Sequence, residues 1–173
     1  GDLSLTSGYG DINQTASMTV GGASVFTAGA NISLTNSGNS FGGLVTASVS
    51  NSVAITGAGD LSTASVQGDQ VVLIALGNVT LGVVTTRELS LTAGGEINQS
   101  GPAISTGNLV INALGKVTLN DGSNDFSTVS LLNAGDTELV DASGMTLAEA
   151  DKLSGSLSVT TQGNLGLSLP SGQ

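Results

Sequence analysis

The sequence predicts an all-β protein that folds as a parallel β-helix, a solenoid of about eight coils. A nine-residue pattern of apolar and small residues, clearest at residues 89–97, recurs roughly every 20 residues. Within each copy, apolar residues alternate with polar ones, which is the period of a β-strand. Gly, Asn, Asp and Ser cluster between the copies, as turns require. One coil cannot bury its own apolar face, whereas stacked coils can.

The copies of this pattern form two larger units. They begin at residues 3, 24, 45, 71, 89, 109, 131 and 157, and the copy at 131 is weak. Residues in the first half match those 85 or 86 positions later. The matched segments are 3–6 with 89–92, 12–14 with 97–99, and 39–41 with 124–126. We therefore expect a single β-helix segment over residues 1–173, built from two tandem four-coil units, about 3–88 and 89–173.

A β-sandwich is the rival fold, because it also has short strands at intervals of about 8–12 residues. It gives no reason for an 85-residue internal offset or for an aromatic content of only 2%. One stretch, residues 145–153, has a composition that would allow a short helical turn. The repeat pattern instead places this stretch in the long step before position 157.

Composition narrows the possible functions. The net charge is −10, and the three cations are Arg87, Lys116 and Lys152, which argues against nucleic acid or an anionic membrane as a partner. The chain has no Cys and no His, so disulfides and the commonest general base are excluded. The longest strongly apolar run, residues 71–76, is too short to cross a bilayer, so we expect no membrane insertion. The chain starts in mid-pattern, without a signal peptide, and we expect a segment of something longer.

Polar residues recur directly before the apolar residue that follows the glycine of the pattern. This position carries Asn31, Asn78 and Asn164, and in other copies Asp11, Glu96 or Lys116. Such variation predicts a turn residue rather than an invariant ligand. Asn13 and Asn98, which match across the offset, could instead form a hydrogen-bonded ladder inside a turn. The sequons at Asn13, Asn31, Asn78 and Asn98 are typical of any chain rich in Asn, Ser and Thr.

Acidic residues are densest between residues 121 and 141, at Asp121, Asp125, Asp136, Glu138 and Asp141. Oxygen ligands at such spacing could hold Ca²⁺, but the EF-hand loop and the glycine-rich calcium repeat are both missing. We therefore predict no metal site and no cofactor. The four aromatic residues, Tyr9, Phe26, Phe41 and Phe126, are expected to pack within coils or under loops.

Several segments resemble the repeats of filamentous-haemagglutinin-like exoproteins, the large two-partner-secretion adhesins of Gram-negative bacteria. They are residues 10–15 (Gly-Asp-Ile-Asn-Gln-Thr), 26–36, 39–43 (Asn-Ser-Phe-Gly-Gly), 124–129 and 155–159. The resemblance implies a right-handed parallel β-helix. It also implies export through an outer-membrane transporter, display at the cell surface or secretion, and a role in adhesion or virulence.

The expected function is a structural shaft segment of such an adhesin, supporting cell adhesion or aggregation. An alternative is that the segment itself binds host glycan or protein, with residues 123–151 as the best candidate patch. A polysaccharide-active enzyme is the second alternative, because some parallel β-helices have such activities. Arg87 and Lys116 show no acidic group at an obvious matching position, and no nucleophile and base pair is apparent. We therefore predict no catalytic residues and no enzyme activity.

Overall fold

Twenty short strands, and no helix, are found in residues 1–168, the part of the chain that the computed structural model describes. Buried and exposed side chains alternate along the strands, as the pattern predicted. The strands are β1 (Leu3–Ser7), β2 (Ile12–Asn13), β3 (Thr19–Val20), β4 (Ser24–Ala28), β5 (Ile32–Leu34), β6 (Ser40–Phe41), β7 (Val45–Ser48), β8 (Ser52–Gly57), β9 (Leu61–Gln67), β10 (Gln70–Ala75), β11 (Val79–Leu81), β12 (Val83–Ala93), β13 (Ile97–Gln99), β14 (Ile104–Ala113), β15 (Val117–Leu119), β16 (Asp125–Asn133), β17 (Thr137–Asp141), β18 (Met145–Ala150), β19 (Leu157–Thr161) and β20 (Leu165–Leu167).

Successive turns of chain place their strands on three faces, and the pairings between strands on each face are parallel. The first face contains β1, β4, β7 and residues 63–67 of β9. It continues through the first halves of β12, β14 and β16. The second face runs from β2 and β5 through β8 and β10 to β18 and β20, and includes the second halves of the long strands. The third face contains the start of β9, then β11, β13, β15, β17 and β19.

The second face gives the length of the helix. One column of paired residues passes through nine layers, with 18 to 21 residues between neighbours. Its members are Ile12, Ile32, Val53, Val71, Leu89, Leu109, Val129, Leu147 and Leu167. Nine layers make eight turns and, at about 4.8 Å a layer, a rod roughly 38 Å long. The predicted parallel β-helix of about eight coils is confirmed.

The core is a continuous aliphatic column inside the three faces. Leu89 and Leu91, in the clearest copy of the nine-residue pattern, are fully buried, as are Val79 and Val117 on the third face. Each such side chain contributes about 1.5–3 kcal/mol relative to leaving it exposed. A chain with few aromatic residues can therefore fill this narrow interior with Val, Leu, Ile and Ala.

The aromatic residues divide into two groups. Phe26 and Phe41 lie inside the first coils and make an edge-to-face contact with ring centroids 6.3 Å apart, and Phe126 is fully buried. Packing was correctly predicted for these three. It was wrong for Tyr9, whose side chain is wholly exposed in the turn between β1 and β2.

The eight predicted copies lie on different faces. Leu3, Ser24 and Val45 are aligned on the first face. Val71 and Leu89 are aligned on the second face, while Leu157 lies on the third. Each of the two 26-residue steps in the series is thus a move from one face to the next. Alternation is common to all three faces, so the sequence pattern could not tell them apart.

The 85-residue offset is not a whole number of turns. Four layers along the second face lead from Ile12 to Leu89, eight residues before Ile97, its sequence match. Ile97 lies on the third face, where it pairs with Val79 and Val117. Matching segments of the two halves are therefore rotated by one face about the helix axis. The division into two four-coil units stays a prediction.

The weak repeat around Leu131 has a local cause. The registers of the neighbouring strands skip one residue at Leu132 in β16 and at Ala148 in β18, which are β-bulges. An inserted residue interrupts the alternation by which the repeat was recognised. The stretch that could have been a helical turn, residues 145–153, contains strand β18 (Met145–Ala150) and no helix. No helix in residues 1–168 is long and apolar enough to cross a membrane.

Glycines stack at the corner between the second and third faces. In each of four successive layers the glycine N–H donates to the glycine carbonyl of the layer before, at 2.9 to 3.1 Å. The glycines are Gly59, Gly77, Gly95, Gly115 and Gly135. A Cβ on Gly115 would come within 2.9 Å of the backbone carbonyl carbon and oxygen of Gly95. The recurrence of the pattern's second glycine thus reflects close approach between coils.

Replacing Gly115 with Ala should lower the free energy of unfolding by about 1–3 kcal/mol, because the new methyl group overlaps rigid backbone. Gly122→Ala is the matched control, since nothing lies within 4 Å of its added Cβ. That variant should be neutral or slightly stabilised through its less flexible unfolded chain. Urea unfolding followed by circular dichroism measures both. Equal stability of the two variants would contradict the stacked-corner interpretation.

Candidate functional site

Polar side chains at the corners join each coil to the next. Asp11 Oδ1 accepts hydrogen bonds from the backbone N and Nδ2 of Asn31, at 3.1 and 2.9 Å. Asn31 Oδ1 in turn accepts from the backbone N of Ser52 at 3.2 Å. Asp60 and Asn78 repeat this arrangement at the glycine corner, where Asn78 Oδ1 accepts from the backbone N of Glu96 at 2.7 Å. Asn31 and Asn78 are thus turn residues, as predicted, and Asn164 accepts through its backbone carbonyl from Met145.

The ladder that Asn13 and Asn98 could have formed is absent from the described residues. Asn13 is exposed and pairs in register with Ser33, whereas Asn98 pairs with Thr118. The Asn98 amide donates to Glu96 Oε2 at 3.3 Å within its own coil. The two asparagines lie on different faces, because the halves of the chain are rotated.

A pair of side-chain amides, one buried and one half-buried, lies one residue further along. The side chains of Gln14 and Asn39 hydrogen bond to each other in both directions, with Asn39 Nδ2 donating to Gln14 Oε1 at 3.0 Å. Asn39 Oδ1 also accepts from the backbone N of Met18 at 3.0 Å, and its Nδ2 donates to the Leu34 carbonyl. Asn39 is fully buried. The pair satisfies backbone groups that no neighbouring strand reaches.

The second half of the chain contains the same pair. Gln99 Nε2 donates to Asn124 Oδ1 at 2.7 Å, and Asn124 Nδ2 donates back to Gln99 Oε1 at 2.9 Å. Asn124 Oδ1 accepts from the backbone N of Ile104 at 2.8 Å. The sequence matches at 12–14 with 97–99 and 39–41 with 124–126 contained these residues, but sequence reasoning did not pair them. The partners are 25 residues apart in the chain and meet only when one coil lies on the next.

Four acidic residues of 121–141, which are Asp121, Asp125, Asp136 and Asp141, accept hydrogen bonds from different parts of the structure. Asp141 is fully buried; its Oδ1 accepts from the backbone N of Phe126 at 2.7 Å and its Oδ2 from the backbone N of Ser143 at 3.1 Å. It supplies an acceptor where the first face has no further strand. Asp125 Oδ1 accepts from Ser143 Oγ at 2.8 Å. Within residues 1–168, no three acidic side chains converge as metal ligands would.

Two of these carboxylates are stabilised in the ionised form. The backbone N–H of Ser123, 2.8 Å from Asp121 Oδ1, lowers the pKa of Asp121. The backbone N–H of Ser156, also at 2.8 Å, lowers the pKa of Asp136 in the same way. The pKa of Glu149 is shifted in the opposite direction: a hydrogen bond with the Asp151 carboxyl group raises it.

Two cations have acidic neighbours in adjacent coils, which corrects the expectation that none matched them. Arg87 lies one layer after Asp69 and makes a bidentate pair with it, with both N–O distances at 2.9 Å. This pair lowers the pKa of Asp69. Lys116 precedes Asp136 by one layer at the glycine corner, and its charge contributes to the low pKa of Asp136. The Arg87–Asp69 pair is a structural ion pair between coils.

The outer surface of the second face carries a shallow groove of about 380 Å³ near mid-rod. One side is polar: Gln70 Nε2 donates to Glu88 Oε2 at 2.9 Å, and Arg87 holds Glu88 Oε1 at 2.8 Å. The other side is apolar and includes Val72, which is 37% exposed, and Val110. The groove lies within residues 70–110, not in the 123–151 patch that the sequence favoured for binding.

Replacing Asn124 with Ala should lower the free energy of unfolding by about 2–4 kcal/mol, because the half-buried Gln99 amide and the buried Ile104 N–H both lose their hydrogen-bond partner. Asn13→Ala, at the exposed asparagine, should change stability by less than about 0.5 kcal/mol. Chemical unfolding of both variants measures the difference. A small effect at Asn124 would show that water or a rearranged loop replaces the amide.

Stability should fall with acid through Asp136. Its folded pKa is below the ordinary value of 3.8, so its contribution is present above that pH and is lost as the pH falls through the folded pKa. Asp136→Asn should therefore lose less stability between pH 7 and strongly acid solution than the wild type, as measured by urea unfolding. Glu149→Gln should lose more, because the raised pKa of Glu149 favours folding at low pH. Parallel pH profiles for all three proteins would contradict this assignment.

Comparison with known proteins gives one match. A family model described as repeats of unknown function (DUF5649) matches residues 1–48 and 68–133, together more than half of the chain. Each matched block contains one of the two Gln–Asn pairs, Gln14–Asn39 or Gln99–Asn124. No curated protein and no solved structure matches the chain. The chain is a member of the DUF5649 family of repeats.

Proposed function

We propose that this chain is a structural shaft segment of a large secreted bacterial surface adhesin of the filamentous haemagglutinin type, supporting cell adhesion or aggregation. The observation that carries the proposal is the unbroken parallel column from Ile12 to Leu167. Every layer hydrogen bonds to the next and shares one core. The resemblance of segments such as 10–15 and 39–43 to adhesin repeats supports the same role.

The geometry produces a stiff rod that is short for its number of residues. A turn of 18 to 21 residues advances the rod by only about 4.8 Å, whereas the same residues fully extended would span more than ten times that distance. A flexible linker covers distance with few residues, and this chain does the opposite. Such a rod suits a spacer that holds a binding region away from a cell surface.

The proposal includes a partner and a location. The parent protein would cross the outer membrane through a two-partner-secretion transporter and act at the cell surface or after secretion. Successive coils template one another, so folding would proceed along the rod as the chain emerges. Neither nucleic acid nor membrane insertion has a role in this proposal.

The groove at Gln70, Glu88 and Val110 favours a second candidate function, in which the segment itself binds host glycan or protein. Hydrogen-bonding groups on one side and aliphatic groups on the other would suit a ligand with both polar and apolar surfaces. The groove is shallow and open, so affinity would have to come from several layers together.

A binding assay on the folded segment separates the two candidates. The shaft proposal expects no binding to a glycan array or to host cells, with or without Ca²⁺. Binding that is lost in Val110→Glu, in the groove, and kept in Leu114→Glu, at an exposed corner, would overturn the passive-shaft proposal in favour of the groove. Binding strengthened by Ca²⁺ would overturn it in favour of the acidic region.

A further inference from the structure

The shallow groove near mid-rod lies along the second half of β12, between two ridges. Strands β10 and β14 form the ridges, one layer before and one layer after β12. The outward positions of β12 and of the corner after it have the small residues Ser90, Thr92 and Gly94. The outward residues of the ridges are Val72, Ile74 and Leu76 on one side, and Val110, Asn112 and Leu114 on the other. A Cβ at Gly94 would overlap the Leu76 carbonyl oxygen, so the close approach of the coils keeps this end of the groove open.

Apolar side chains of the ridges are exposed to solvent. Leu76 and Leu114 are 66% and 69% exposed, and Val72 is 37% exposed. Leu132, at the bulge of β16 in the following layer, is also 37% exposed. Exposed apolar groups that lie next to one another mark contact sites, whereas single ones are common on any surface. The second face thus has the apolar surface of an interaction site in the middle of the rod.

The same surface is almost free of charge. From β8 to the second half of β16, Glu88 is the one ionisable residue at an outward position of the second face. Arg87 holds its Oε1 at 2.8 Å, and Gln70 donates to its Oε2 at 2.9 Å. The chain as a whole has a net charge of −10, so two copies repel each other through most of their surface. They can approach through this face without bringing unpaired carboxylates together.

We propose that the second face binds the same face of a second copy of this chain, with the two rods antiparallel. The two-fold axis lies in the contact plane, along the strands and midway between β12 and β14. It sets the β14 ridge of each copy into the β12 groove of the other. Val110 then lies opposite the second copy's Ser90, and Leu114 lies opposite the second copy's Gly94.

The occupant is a second copy because the face is complementary to itself. In this arrangement Asn108 lies opposite the second copy's Glu88, so an amide donor meets the carboxylate of the face. Parallel rods would instead set each ridge against the same ridge of the other copy. The contact is independent of the shaft proposal, since it uses the side of the rod and needs no host ligand.

The size of the contact predicts its strength. Residues 88–94 extend about 23 Å along a strand, and the four layers from β10 to β16 cover about 19 Å along the rod. The patch is therefore roughly 450 Å² on each copy, which is at the low end for specific interfaces. We expect a weak, reversible dimer.

Sedimentation of the full chain over a wide concentration range tests the contact. The mean mass of the wild type should rise with concentration, and added salt should strengthen the association by screening the net charge. Val72→Asp should weaken association about tenfold or more, because a charge would be buried at the contact. Val25→Asp is the matched control: Val25 is 39% exposed in β4 on the first face, and this variant should associate as the wild type does.

A constant monomer mass for the wild type would overturn the proposal, and binding to the glycan array in that case would assign the groove to a host ligand. Equal association of the wild type, Val72→Asp and Val25→Asp would also overturn it, because the contact would then lie elsewhere on the rod. Circular dichroism spectra of both variants should equal that of the wild type, since both valines are partly exposed.

Thiol cross-linking tests the antiparallel arrangement. The chain contains no cysteine, so Val72→Cys and Ser130→Cys proteins each have one thiol. Val72 lies opposite the second copy's Ser130, because β10 and β16 are equally far from the axis. Facing sheets are about 10 Å apart, which a short bis-maleimide spans, whereas the two Val72 residues are a further three layers, or roughly 14 Å, apart along the rods. The mixture should cross-link in higher yield than either variant alone. Equal yields, or the highest yield from Val72→Cys alone, would overturn the arrangement.

Discussion

Backbone hydrogen bonding between coils in strict register is the constraint on which the rest of this structure depends. It requires that successive turns approach to the spacing of parallel strands even at the corners, where the chain changes direction. The stack from Gly59 to Gly135 meets this requirement, because the glycine N–H and carbonyl groups bond from layer to layer. Side chains such as Asp60 and Asn78 then satisfy the turn residues that follow.

Where the ladder is interrupted, polar side chains replace the missing backbone partners. Asn39, Asn124 and Asp141 are all fully buried, and each accepts from a backbone N–H of an earlier coil. A buried N–H without a partner costs more than a typical hydrogen bond contributes, so these positions constrain the sequence strongly. The polar residues that look most like ligands in the sequence are therefore used by the fold itself.

This use of polar groups bears on function. Asp121, Asp125, Asp136 and Asp141 hold turns or bond to neighbouring coils. The ion pair of Arg87 with Asp69 connects two coils. Most of these side-chain contacts join one coil to the next along the axis of the rod, which suits a shaft. The groove beside Gln70 and Val110 is the exception, since its side chains face outward across several layers. Membership of the repeat family fits this architecture.

The sequence by itself determined the class of fold, the number of turns and the position of the aliphatic core, because strand alternation and a 20-residue repeat are local properties of the chain. It also determined the matched segments around Gln14 and Gln99. Only the tertiary structure decided which face each copy occupies, because all three faces have the same alternation. It alone paired Gln99 with Asn124 and Arg87 with Asp69, because those contacts depend on the number of residues in the intervening turn of the helix.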